Sequence, residues 1–203
     1  MADIEADLSL YADVLEQIRR RGDAAREFLN PPTSYPRVES AALQVRLMLE
    51  LIPLGSLIAH LDLVAQVASA YSRKKPDEAA KLVKQVNPDY WPKPVVHVAT
   101  PEGEPDRWED VSEPFVAEGE WQAEWGYLSS LLHAKNPFNA PPDLNEAHGR
   151  VAGIYRRLVV LINLHQIRLP DAGILVIGQI LSDDGHAHAY QFQAIRGTAD
   201  DTD

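Results

Sequence analysis

Apolar residues recur at three- and four-residue steps through Ile4, Leu8, Tyr11, Val14, Leu15 and Ile18, which predicts an amphipathic helix over residues 3–29. The run stops before Asn30-Pro31-Pro32. A second helix is predicted from about Pro36 to Tyr71. Leu43, Val45, Leu47, Met48, Leu49, Leu51, Ile52, Leu54, Leu57 and Ile58 make it apolar on nearly every side, so it belongs at the centre. Pro53 removes one backbone donor inside it, and a kink is expected there. Residues 77–86 read as a short amphipathic helix. Glu120 to His133 reads as another, and the last helix is expected from an Asp143/Glu146 capping pair to about Arg168. Val151, Tyr155, Leu158, Ile162 and His165 would share one stripe of it.

The period then changes from helical to alternating. Residues 174–181 and 186–195 flank Asp184-Gly185, a strong signal for a tight hairpin. With those two residues as the turn, Leu175, Ile177, Tyr190 and Phe192 share one face, expected to lie on the helices. Between residues 87 and 118 six prolines exclude a long helix, and only residues 95–98 read as a strand. The fold class expected is therefore mainly α. It is a bundle of four or five helices forming one domain over residues 1–203, with a Pro/Trp/acid-rich insertion at 87–118 and a β-hairpin at 173–195. Residues 95–98 can extend that hairpin into a small three-stranded sheet.

Composition narrows the chemistry. No cysteine is present, which removes thiol nucleophiles, zinc-thiolate sites and iron-sulfur clusters. The formal net charge is −11, and its distribution is uneven. Residues 101–120 hold eight acids against Arg107 alone, and Asp200, Asp201 and Asp203 add to the tail, so the rest is close to neutral. Broad binding to a phosphate backbone is disfavoured, whereas a pocket with a few arginines is compatible. The acidic start of the chain does not resemble a signal peptide, and the apolar run from Leu47 to Ala59 is short and interrupted by Glu50 and Pro53. A cytoplasmic protein without a membrane partner is the expectation.

All four tryptophans lie in residues 91–125. Aromatic residues at this density predict an ordered excursion whose rings either cover core edges or line a ligand groove. No phosphate-binding glycine loop, dinucleotide fingerprint, zinc-protease motif or serine-hydrolase elbow occurs. Three clusters are candidates for chemistry. Arg46 and Glu50 stand one turn apart in the apolar second helix, as an ion pair or as catalytic groups, and His60 lies farther along the same helix near their cavity. Trp125, Ser129 and His133 fall on one face of a later helix, where Ser129 and His133 can touch, although no oxyanion-stabilising group is identifiable. His186 and His188 alternate on one strand with Asp183 nearby, an arrangement that two imidazoles and a carboxylate could use for a metal, but the hairpin tip also suits exposed polar residues. No metal or other cofactor is implied.

The segments ESAALQVRLMLELI at 39–52 and WGYLSSLLHAKNPF at 125–138 resemble the helical cores of HEPN-type domains and related bacterial helical proteins. The resemblance implies an RNA-acting enzyme, in a toxin or phage-defence setting, with Arg46 and His133 as the catalytic groups; the spacing of the residues themselves adds Glu50 to the catalytic candidates and Trp125, Ser129 and His60 as ligand-binding candidates. Histidine would act as general acid or base and arginine would stabilise the developing phosphorane. The nuclease signature, an arginine followed after four to six residues by a histidine, is not matched, since Arg157 and His165 have seven residues between them. The reading favoured by the residues is a protein-binding or regulatory module that contacts a protein partner through the acidic, Trp-containing segment. RNA is a partner only under the nuclease alternative, and a small-ligand or metal-binding protein is a third reading.

Overall fold

A computed structural model describes residues 4–59, 80–101 except 82 and 86, 104, 107–133, 143–169 and 174–193. Helix α1 spans Ile4–Leu29 and α2 spans Tyr35–Ile58. The stripe of α1 expected from periodicity is the buried one, with Tyr11, Val14, Leu15 and Ile18 inside. Helix α2 carries thirteen buried residues, Pro53 among them, which makes it the central helix. It is long and apolar enough to cross a bilayer by length and composition, but two-thirds of its apolar window is covered by the protein itself. The helix ends at Ile58, and the expected continuation towards Tyr71 lies outside the described residues. Gly55 lets α1 come close, because a Cβ there would stand 2.9 Å from Cε2 of Tyr11.

Strands β1 (Lys93–Val98) and β2 (Arg107–Asp110) precede helices α3 (Trp121–Leu132) and α4 (Leu144–Asn163). Strands β3 (Leu164–Leu169), β4 (Ile174–Gln179) and β5 (His188–Gln193) complete a five-stranded antiparallel sheet of order β2-β1-β3-β4-β5. The fold is therefore α+β. This corrects the expected mainly α bundle with a hairpin or three-stranded sheet. The expected last helix hides the main cause. Its cap is as the sequence predicts, Asp143 accepting from the Glu146 N–H at 2.8 Å, but the helix stops at Asn163 and the chain runs straight into β3. Leu164 already has extended backbone angles, and residues 164–169 pair along their whole length with β4. The residues expected to finish a helix instead form the middle of the sheet, including His165.

The hairpin forms with its centre one residue earlier than expected, so that Leu175 faces Phe192. Gly185, at φ 78°, is the fourth residue of a turn closed by its N–H to the Ser182 carbonyl. Because the slip moves pairing by two positions, side chains keep their faces. The face that meets the helices is nonetheless the opposite one: Ile167, Val176 and Ile180 join the main core, with Leu169, Ile174 and Ala189 packed against it. Strand β4 is apolar on both sides, so alternation alone could not choose.

On the other face Val95 and Ile177 are buried apart from that core. Trp108 of β2 meets Phe192 of β5 with ring centroids 6.2 Å apart. These strands are the two edges, about 19 Å apart in a flat sheet. The sheet is thus strongly curled, and the β1–β2 hairpin folds over a second, smaller apolar layer. The insertion is built into the fold at its other end as well: Trp91 stacks on Trp121 at 6.2 Å and donates to the Val116 carbonyl at 3.0 Å, while Glu118 pairs with Lys84.

Candidate functional site

Two of the expected catalytic residues meet, and their partner is a tryptophan. On α2, Arg46 Nε donates to Glu50 Oε1 at 3.0 Å, and the same oxygen accepts from Trp125 Nε1 of α3 at 2.8 Å. The Arg46 guanidinium also lies over the Trp125 ring, 5.0 Å from its centroid. The three groups form a closed clamp between α2 and α3, in which charge-assisted hydrogen bonds and a cation–π contact satisfy a largely covered carboxylate. Ser129 is buried next to it, and its hydroxyl donates back to the Trp125 carbonyl at 2.8 Å, a bond within the helix.

His133 does not join them. It is the residue at which α3 ends, with extended backbone angles, so it leaves the helical face that the four-residue spacing from Ser129 predicts. It is exposed, and among the described residues it shares no hydrogen bond or ion pair with Arg46, Glu50 or Ser129. His60 lies outside the described residues. At the hairpin tip His188 pairs with Asp184 at 2.9 Å, in place of the expected Asp183. Hydrogen bonds from the Ser182 hydroxyl and the His186 N–H hold the Asp184 carboxyl well below the usual range, as in a loop that ties its own turn. No group of three side chains suited to a metal ion occurs among the described residues.

Sequence reasoning missed two features. The first is buried: His165 of β3 accepts at Nε2 from the Tyr11 hydroxyl at 2.6 Å and donates from Nδ1 to the Ile162 carbonyl at 3.0 Å. A carbonyl can only accept, which fixes the neutral tautomer with the proton on Nδ1. Burial lowers the His165 pKa to about 4 and raises that of Tyr11. Gly178 makes room for the ring, since a Cβ there would stand 2.5 Å from His165 Cε1.

The second feature is open. A groove of about 530 Å³ runs along α4, lined by Arg150, Arg156 and Arg157 with Glu124 of α3 and Glu113 opposite. Gly153, Ile154 and Val160 line it between the charges. Arg157 is held by Glu120 at 3.2 Å and by Glu124. Arg150 lies over the Tyr127 ring, 3.6 Å from its centroid, and only 3.8 Å from Glu124 Oε2, which is buried and lacks a hydrogen-bond partner. Arg156 is exposed and makes no ion pair among the described residues. The signal was present as Arg150 with Arg156 and Arg157 six and seven residues farther on, in a helix read mainly for its apolar stripe. Comparison with protein-family models, with curated proteins and with solved structures finds no match to this chain.

Proposed function

We propose that this chain is a protein-binding module that docks its partner in the groove along α4. The observation that carries the reading is the groove itself, large enough to bury several side chains and lined by arginines in a chain of net charge −11. The arrangement around Arg46 supports it from the other side. Arg46 and Glu50 are occupied by each other and by Trp125, and the histidine needed for proton transfer stands elsewhere. The acidic segment takes part as one wall, through Glu113 and Pro114.

The test is site-specific photo-cross-linking in the host, with p-benzoylphenylalanine in place of Arg156 or of Gln17 on the exposed side of α1. A distinct protein adduct from position 156, missing at position 17, is expected. Identical adduct patterns at the two positions would refute docking at the groove. RNA cleavage by the purified protein that is lost in Arg46→Ala, with the fold intact, would refute the module reading altogether.

A further inference from the structure

Resting on that reading, we infer that the groove takes an extended acidic segment of the partner, its carboxylates held by Arg150 and Arg156. Two independent features converge on this chemistry. The first is the state of the arginines. Arg157 is saturated by two glutamates, whereas Arg156 has no ion pair among the described residues and the Arg150 side chain is 52% exposed with only a loose approach to Glu124. Stacking on Tyr127 holds the Arg150 guanidinium as a planar fork, the form that grips a carboxylate with two parallel bonds. Arg156 stands six positions after Arg150, a rise of about 9 Å along the helix, so one compact anion cannot bridge them as easily as a chain bearing two carboxylates.

The second feature is Gly153. A glycine inside a helix is less favourable than alanine by up to about 1 kcal/mol. Here a Cβ would meet nothing within 4 Å, so packing among the described residues does not call for glycine. What the missing side chain leaves is depth in the groove wall, where another backbone can approach.

The experiment uses the full chain and a fluorescein-labelled hexapeptide alternating Glu and Leu, with the Gln-Leu hexapeptide as control, read by anisotropy and by amide shifts of the isotope-labelled protein. Saturable binding of the acidic peptide is expected, with shifts along α4. Arg156→Glu should weaken it about tenfold, the equivalent of one charge-assisted hydrogen bond. Gly153→Leu fills the groove while improving helix propensity, so it should lose binding with its thermal midpoint equal to or above that of the wild type. Equal binding of the two peptides, or unchanged binding by folded Gly153→Leu, would overturn the inference. If position 156 still cross-links a protein in the host while the acidic peptide fails to bind, the acidic chemistry is wrong and docking at the groove stands.

Discussion

At the scale of single residues, the most consequential group is His165, which no motif announces. Its folded pKa of about 4 lies below the ordinary 6.5, so the unfolded chain takes up its proton first as pH falls. The stabilisation from keeping this ring neutral is complete above pH 6.5, declines between 6.5 and 4, and is gone below that, a loss of about 3 kcal/mol. Urea midpoints measured across that window should fall more steeply in the wild type than in a folded His165→Gln variant, and the imidazole carbon shifts should show a neutral ring down to about pH 4. An imidazole titrating near 6.5 would mean that it is not sealed. Trp125 offers a second test. Trp125→Phe keeps a ring over Arg46 but removes the donor to Glu50, and a loss of about 1 kcal/mol is expected. If Arg46→Ala costs as much in the Trp125→Phe background as alone, the clamp is not a coupled unit.

At the scale of elements, the helices and the strands β1, β4 and β5 were legible, whereas β2, β3 and the sheet they complete were not. Periodicity located α1, the start of α2, α3 and the capped start of α4, because each buries one stripe or, in α2, nearly its whole surface. It overran at Asn163 because Ile162 and His165 fit a helical step as well as they fit the entry to a strand. Pairing with β4 decided between them, and that contact is invisible in local sequence. Strand β2, with the sequence Arg107-Trp108-Glu109-Asp110, reads as acidic loop and becomes a strand only because β1 pairs with it. The candidate site follows the same logic. The Arg46–Glu50 pair was legible as an i,i+4 spacing, whereas the roles of Trp125 and of the α4 arginines depend on how α3 lies against its neighbours. Leu158 is fully buried on α4, so Leu158→Ala should lower stability by roughly 2–5 kcal/mol in equilibrium unfolding. A change below about 1 kcal/mol would show that the site collapses or that another face of α4 is inside.

At the scale of the molecule, a chain whose negative charge is concentrated in residues 101–120 and the tail presents a local arginine-lined groove. A net charge of −11 repels an acidic segment at long range, while Arg150 and Arg156 act only at close approach. Salt screens the long-range term first, since the Debye length falls from about 30 Å at 0.01 M to about 8 Å at 0.15 M. The association rate of the acidic hexapeptide, followed by stopped flow, is therefore expected to rise across that range. A rate that falls with salt would mean that the groove, not the net charge, sets the field the peptide meets. The measurement that bears most directly on the account is hydrogen exchange of the chain, alone and in complex with the partner recovered through position 156. Slower exchange in residues 121–128 and 150–160, with α1 and β5 unchanged, is the predicted result. Protection confined to α1 or to the curled face of the sheet, with α3 and α4 exchanging as in the free chain, would contradict it.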